Sequence, residues 1–156
     1  MRMLELVNSF FDMKNDPDQL QVNDAVQDQL HQLHPACLTE VTNEDGPILW
    51  LLLFPCHSKN VEAFLKDELN EQELFDKSVA GNTDFDTVYL CSVSVLHEFR
   101  KNGLAITKTI EAINAMRVSF AITQLCVWPF SADGERLSQA IAEKVNLPLL
   151  VKPYEH

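Results

Sequence analysis

The sequence has few of the features that mark membrane-spanning, collagen-like or low-complexity proteins. Only 4 glycines and 7 prolines occur in 156 residues, and contents this low exclude collagen-like and Pro/Gly-rich chains. The longest apolar run covers residues 48–54, whereas a membrane helix needs roughly 20 apolar residues. The amino terminus lacks the apolar stretch and small-residue cleavage site of a signal peptide. We therefore expect a cytoplasmic protein with no membrane partner.

Paired cysteines and clustered metal ligands are also missing from the sequence. None of the cysteines shows the two-residue spacing of zinc sites or thiol-exchange motifs. All four stand singly in apolar stretches: Cys37, Cys56, Cys91 and Cys126. We interpret them as reduced core residues. His31 and His34 lie three residues apart, but nothing in the pattern supplies a further ligand, so no metal site is predicted.

Basic residues are scarce and unevenly distributed. The chain has 12 lysines and arginines against 23 acidic residues, a formal charge of -11. Residues 1–87 hold 17 acidic and 5 basic residues, whereas residues 88–156 hold 6 and 7. Because each phosphate contact needs a cation, we expect no nucleic-acid partner. The second half can still hold one phosphorylated ligand, and the acidic half either favours a cationic ligand or serves as a solubilising surface.

The chain is long enough and apolar enough to fold around one core. Its 156 residues, 46% of them hydrophobic, predict a single domain over residues 1–156. Residues 3–13 suit either a helix or a strand. Asp16-Pro17 looks like a cap and a first-turn proline, which predicts a helix to about His34. Residues 37–42 and 47–54 then predict two strands around a turn at residues 43–46.

Alternating strands and helices are predicted for the second half. Residues 55–87 form a helical insert, in which Asn70-x-x-Glu73 resembles a capping box. Strands are predicted at residues 88–95, 125–127 and 149–151, with helices at residues 105–120 and after a cap at Ser131 or Asp133. The hairpin favours antiparallel pairing and the later alternation favours parallel pairing. The fold class is therefore α+β with a mixed central sheet flanked by helices.

The most informative segment covers residues 93–105, where a buried strand passes into a helix. Amides at a helix amino terminus have no intrahelical partners and lie at the positive end of the dipole, so they suit a pyrophosphate. Gly103 lets the backbone approach a phosphate closely, and Ala105 keeps the next turn tight. Arg100 and Lys101 add positive charge at the rim.

This segment resembles the GNAT superfamily of acyl-CoA N-acyltransferases. The family signature is Arg or Gln, two residues, Gly, one residue, then Gly or Ala, and Arg100-x-x-Gly103-x-Ala105 matches it. Residues 95–99 are similar to the flanking pattern, with His97 in place of a proline. The resemblance extends over the predicted elements of residues 88–151. It implies a single GNAT-like domain with a mixed, mostly antiparallel sheet and acetyl-CoA as co-substrate.

The resemblance also assigns roles by position. Backbone groups of Val93 and Val95 would bond the pantetheine arm, with a bulge and a carbonyl-polarising amide at Val95. Ser131 stands near the place of a cofactor-contacting Asn in many members. The amides of six residues would bind the pyrophosphate: Arg100, Lys101, Asn102, Gly103, Leu104 and Ala105.

Catalytic residues are less well defined by the pattern. A lysine-like amine must lose a proton before it attacks a thioester, and some members use a Glu at the start of the signature strand. The nearest equivalents are Thr87 and Asp86, and Asp86 is the candidate base; the alternative is that Asp86 is a turn residue at the start of a strand. Many members place a Tyr in the helix after the second crossover strand, but residues 131–145 hold none. The only tyrosines are Tyr89 and Tyr154.

Two functions follow as expectations. The first is acetyl transfer from acetyl-CoA to the primary amine of a cationic small molecule or peptide. The second is a degenerate domain that binds CoA or a protein partner without turnover. The segment at residues 58–77 is interpreted as either a lid over the acceptor groove or an insert in a homodimer interface. Trp50 and Trp128 are assigned to the core.

Overall fold

The structure is a computed structural model that describes residues 23–95, 103–129 and 132–153. Its elements, in chain order, are helix α1 (Asp24–Leu33), a 3-10 turn (Pro35–Cys37), strands β1 (Leu38–Asn43) and β2 (Gly46–Cys56), helices α2 (Ser58–Leu65) and α3 (Glu71–Ala80), strand β3 (Thr87–Val95), helix α4 (Leu104–Ser119), strand β4 (Gln124–Val127), helix α5 (Ala132–Val145) and strand β5 (Leu149–Val151). The predictions for residues 3–13 and for Asp16-Pro17 lie outside these residues.

The first described helix begins later than the prediction of one helix from Asp16. Asn23 has an extended backbone (φ -133°) and its side chain accepts a hydrogen bond from the Val26 amide at 2.9 Å. Asn23 is therefore an N-cap, and α1 begins at Asp24. At the other end, His34 stops the helix and its Nδ1 accepts a hydrogen bond from Ala36 at 3.0 Å.

The predicted hairpin is confirmed. Strands β1 and β2 are antiparallel and are joined by Glu44 and Asp45. The Asn43 side chain accepts a hydrogen bond from the Asp45 amide at 2.9 Å, and Gly46 has a φ of 120°. Asn and Gly at these positions suit a tight connection of this kind because both tolerate turn conformations that other residues avoid.

The described strands form one mixed sheet in the order β1-β2-β3-β4-β5. Strand β2 is antiparallel to both β1 and β3, whereas β4 is parallel to both β3 and β5. The α+β class with a mixed sheet is thus confirmed. Two of the four pairings among these described strands are antiparallel, and these are the longer ones, while β4 and β5 form the parallel side.

The crossover helices α4 and α5 pack against each other. Helix α4 also packs on β2 and β3, and α5 packs on β4 and β5. The Arg117 side chain of α4 donates a hydrogen bond at 3.0 Å to the carbonyl of Val145, which ends α5. Helix α5 begins at Ala132, so Asp133 lies inside the helix and does not cap it as proposed from the sequence. Ser131, the other proposed cap, lies outside the described residues.

The insert between β2 and β3 folds as two helices on the face of the sheet that carries Phe54 and Tyr89. The ring of Phe64 in α2 lies 5.3 Å from that of Tyr89, and Phe75 in α3 lies 5.3 Å from Phe54. The predicted capping box is present, since Asn70 and Glu73 satisfy each other's backbone amides at the start of α3. These aromatic contacts fix the insert on the sheet.

One apolar cluster joins the helices to the sheet. Both faces of β2 are buried from Ile48 to Cys56, so helices cover this strand on both sides. Cys37, Cys56 and Cys126 are free and buried, as predicted, while Cys91 is half-buried. Burial raises the pKa of Cys126 to about 12. Among the helices of the described ranges, none is long and apolar enough to cross a membrane.

Candidate functional site

Strand β3 extends beyond its pairing with β4, because β4 ends at Val127. The parallel pairing joins Thr87–Leu90 to Gln124–Val127, whereas β3 continues to Val95 alongside β2. Within the described residues, no strand pairs with the β4-facing side of β3 over residues 92–95. At about 3.3 Å per residue this edge is roughly 13 Å long, and its backbone groups need partners other than β4.

Strand β3 contains a bulge, which lies earlier than predicted. Leu52 faces Ser92 and Leu53 faces Leu90, so Cys91 is the extra residue of β3. The expected position was Val95, which instead pairs in register with Leu49. An extra residue bends a strand and increases its twist, and this one directly follows Leu90, the last residue of β3 that pairs with β4.

Gly103 occupies the junction between the predicted loop and helix α4. Its φ is 77°, in the left-handed region, and no side chain caps the helix there. Apart from its chain neighbours, no described atom lies within 4 Å of the position that a Cβ would take. The first helical bond runs from the Thr107 amide to the Gly103 carbonyl at 3.0 Å. The backbone turn therefore favours glycine, and the space beside its Cα is free of other described atoms.

The structure describes only part of the predicted binding segment. Leu104 and Ala105 form the first turn of α4 and are half-buried, and Val93 is half-buried in β3. The remaining candidates, Arg100, Lys101, Asn102 and Ser131, lie outside the described residues. The edge of β3 and the start of α4 are thus the two described parts of the candidate site.

Asp86 has a clear structural role at the amino end of β3. Its Oδ1 accepts hydrogen bonds from the Ser58 amide at 2.8 Å and from the Thr87 hydroxyl at 2.9 Å. The first bond caps α2, for which His57 provides no side-chain cap. The Asp86 carbonyl also accepts a bond from the Thr123 amide at 2.8 Å. Asp86 therefore fixes α2 and β4 at the start of β3, and its role as a base stays a prediction.

A cavity of about 460 Å³ lies beside this end of β3. Among its lining residues are Lys59, Lys77 and His57, and none of them is acidic. The His57 Nε2 lies 2.9 Å from Asn82 Oδ1. This cationic lining was not expected in the acidic half of the sequence, and it disfavours a cationic ligand in this cavity.

Tyr89 forms a buried polar pair that the sequence did not reveal. Its hydroxyl donates a hydrogen bond of 2.5 Å to Oε2 of Glu71, and the two residues are 0% and 2% exposed. Burial, together with the nearby Glu71 carboxylate, raises the pKa of Tyr89 well above its usual value. Tyr89 is therefore a neutral donor inside the core and is not accessible at the unpaired edge of β3.

The described histidines and carboxylates do not assemble into a metal site. No group of three or more potential metal ligands occurs in the described ranges. His34 uses one ring nitrogen for the Ala36 amide, and the other lies 3.0 Å from the Ser119 hydroxyl. Burial lowers the pKa of His34. One ring nitrogen thus caps the turn that follows α1, and the other links this turn to the last residue of α4.

Comparison with known proteins found no relative of this chain. No protein-family model, curated protein or solved structure matches the chain. The candidate site is therefore defined by the geometry of β3, β4 and α4 alone.

Proposed function

We propose that the protein is an N-acetyltransferase that transfers an acetyl group from acetyl-CoA to a primary amine. The observation that carries the proposal is the combination of an extended carboxyl end of β3 with the start of helix α4 shortly after it in the chain. Strand β3 continues past Leu90, its last residue paired with β4, and α4 begins at a left-handed glycine, Gly103, eight positions beyond Val95. A long thioester ligand needs both an unpaired strand edge for its amide-bearing arm and a helix start for its diphosphate.

The two described parts match the two ends of such a ligand. The pantetheine arm carries amide groups, and these can bond the backbone of residues 92–95 as an added strand would. The diphosphate is anionic, and the amide groups at the start of α4 favour a negative charge. Arg100 and Lys101 of the connecting loop provide the counter-charges in this proposal.

The transfer requires one nucleophilic attack and three proton movements. Asp86, as the proposed base, takes a proton from the ammonium form of the acceptor and passes it to solvent. The neutral amine nitrogen then attacks the thioester carbonyl carbon, and the carbon–sulfur bond breaks to release the CoA thiolate. The new amide nitrogen loses its second proton to solvent. The thiolate takes a proton from solvent, because the helix that follows β4 contains no tyrosine.

A second candidate is a domain that binds CoA without turnover. It is favoured because Asp86 and Tyr89, the described candidates for a base and an acid, already form structural hydrogen bonds. Asp86 accepts two hydrogen bonds through one oxygen, and Tyr89 is fully buried against Glu71. The two candidates share the CoA site and differ only in chemistry, so separate experiments on binding and turnover distinguish them.

The binding test compares Gly103→Asp with Gly103→Asn. Both side chains tolerate left-handed backbone and have nearly the same size, so both variants should fold. They differ by one negative charge at the proposed diphosphate site. We expect CoA to raise the Tm of the wild type and the Asn variant. In the Asp variant we expect CoA affinity to be lower by at least about tenfold.

Equal CoA affinity in the two variants, measured by calorimetry, would contradict the diphosphate assignment, and so would the absence of CoA binding to the wild type. Turnover is followed separately as the free thiol released from acetyl-CoA in the presence of a panel of primary amines. Thiol release that depends on the amine supports the transferase. CoA binding without such release supports the second candidate.

A further inference from the structure

A small cavity lies at the carboxyl ends of the parallel strands β4 and β5. Its lining residues are distant from Gly103 in the sequence. Its volume is about 230 Å³, and Phe64, Leu69 and Trp128 form its apolar part, while Asp67, Glu73 and Lys152 supply charge. Trp128 directly follows β4 and Lys152 directly follows β5. In open sheets with parallel strands, ligands commonly bind beyond the carboxyl ends of the strands.

Lys152 is a buried cation in the wall of this cavity. The residue is 7% exposed, and its ammonium donates a hydrogen bond at 2.9 Å to the carbonyl of Phe64. The same ammonium lies 4.9 Å from the centre of the Phe64 ring and 5.8 Å from that of Trp128. A buried charge is costly unless an opposite charge accompanies it, so Lys152 needs an anion within reach.

The anion that the structure provides is Asp67, which also accepts a hydrogen bond from Lys152. The Lys152 side chain is 9% exposed, whereas that of Asp67 is 83% exposed. The partner of the buried cation is therefore itself in water, where a carboxylate loses little when it exchanges its contact for solvent.

The backbone at Asp67 is unusual for an aspartate. Asp67 has a φ of 64°, and it follows the last turn of α2. The amide of Glu68 donates to the Ala63 carbonyl at 2.8 Å, and the amide of Asp67 donates to Phe64 at 3.2 Å. This is a Schellman ending, in which glycine is the common residue at the left-handed position. An Asp in that position places a carboxylate at the mouth of the cavity, next to Lys152.

We propose that this cavity binds a small carboxylate-bearing molecule whose carboxylate replaces Asp67 at Lys152. The aromatic rings of Phe64 and Trp128 stand 6.0 Å apart at 80°, and they favour a flat, apolar group on the ligand. A single carboxylate matches one buried ammonium. A more highly charged anion such as a phosphate is disfavoured by the carboxylates of Asp67 and Glu73 in the same lining.

The volume sets an upper limit on the ligand. Cavities for drug-sized molecules are roughly 300–1,000 Å³, and this one is about 230 Å³. The ligand is therefore about the size of an aromatic acid or an amino acid. The inference goes beyond the proposed acetyl transfer, because it depends on Lys152, Asp67 and Trp128 and not on the edge of β3 or on Gly103.

The test uses phenylacetate as the probe and phenylacetamide, its neutral analogue, as the matched control. Binding is measured by calorimetry and by the change in the amide and indole NMR signals of Trp128. We expect phenylacetate to bind the wild type and phenylacetamide to bind at least about tenfold more weakly. The signals of Gly103 and Ala105 should not change, which separates this site from the proposed CoA site.

Two variants change the affinity in opposite directions. Asp67→Asn keeps a side chain of the same size that tolerates the left-handed backbone, and it removes the competing charge. We expect it to bind phenylacetate at least about threefold more tightly, because the ligand no longer displaces a carboxylate. Lys152→Met keeps the apolar stem and removes the ammonium, and it should lower the affinity at least about tenfold.

The proposal is overturned if phenylacetate binds neither the wild type nor Asp67→Asn, or if phenylacetamide binds equally well. It is also overturned if a folded Lys152→Met variant retains the wild-type affinity. Should Lys152→Met fail to fold, the comparison of wild type with Asp67→Asn decides, and an unchanged or weaker affinity in Asp67→Asn refutes the exchange.

Discussion

The two ends of β3 use their polar groups in opposite ways. At the amino end, the Asp86 carboxylate accepts bonds from Ser58 and Thr87, and the Gln124 side chain donates to the Thr87 hydroxyl at 2.9 Å. At the carboxyl end, β3 continues to Val95, past its last pairing with β4 at Leu90. The first end is satisfied by the protein itself, whereas at the second no described strand pairs with the side of residues 92–95 that faces β4.

This difference separates stability from binding along a single strand. Internal hydrogen bonds at the amino end stabilise the junction of α2, β3 and β4, because each satisfies a group that folding removes from water. An edge that no strand pairs is free to bond an extended ligand. We therefore expect changes near Asp86 and Tyr89 to alter stability, and changes near Gly103 to alter CoA affinity.

The largest expected effect comes from Asp86→Asn. The amide oxygen can still accept the bond from Ser58, so the variant should retain most of its free energy of unfolding. Asn cannot take a proton from the amine, and we expect kcat to fall at least about 100-fold. Thiol release at saturating acetyl-CoA and urea unfolding, measured on the same preparation, check the two expectations.

Asp86→Ala is the matched control for the structural role. It removes both hydrogen bonds and should lower the free energy of unfolding by about 1–2 kcal/mol. Turnover at the wild-type rate in Asp86→Asn would contradict the proposed role of Asp86 as a base. Asp86 would then serve only to cap α2.

The next largest effect is expected at Tyr89. Tyr89→Phe removes the hydroxyl that donates to the buried Glu71, and this should cost about 1–3 kcal/mol of unfolding free energy. CoA affinity should not change. Glu71→Gln is a milder control because its amide oxygen still accepts the bond. A Tyr89→Phe variant as stable as the wild type would contradict the account of this pair.

Alkaline pH tests the same pair. The raised pKa of Tyr89 means that the folded protein keeps a proton that the unfolded chain loses above about pH 10. The contribution of the protonated Tyr89 hydroxyl to the free energy of unfolding is therefore present below that pH and is lost as the pH rises further. The fall in stability should be shallower in Tyr89→Phe, as measured by urea unfolding across this range.

The smallest effect is expected at His34, at the far end of α4 from Gly103. Because burial lowers its pKa from 6.5, the unfolded chain binds the proton more readily and stability should fall slightly below about pH 6.5. His34→Asn should reduce this fall in Tm while still capping the turn at Ala36. A Tm that rises on acidification, or an equal fall in both proteins, would contradict this assignment.

Local sequence signals predicted the local structure well. The hairpin at residues 43–46, the capping box from Asn70 to Glu73 and the last strand, Leu149–Val151, follow from short-range patterns and are present. The start of α1 was predicted too early because the Asp16-Pro17 signal is as typical of a helix start as the true cap at Asn23.

The polar contacts between distant residues could not be predicted in the same way. Lys152 and Asp67 are 85 positions apart, and Tyr89 and Glu71 are joined only when α3 packs on the sheet. No periodicity or spacing connects such pairs. The bulge at Cys91 is similar, because it is defined by the register with β2 and not by the residues of β3 alone.

The most direct test of the central claim is a crystal structure of the protein with CoA. The account predicts diphosphate oxygens within about 3.5 Å of the backbone amides of residues 103–105. It also predicts the pantetheine arm beside residues 92–95, on the side of β3 that faces β4. CoA bound elsewhere on the protein, or β3 paired along that side by another part of the chain, would contradict it.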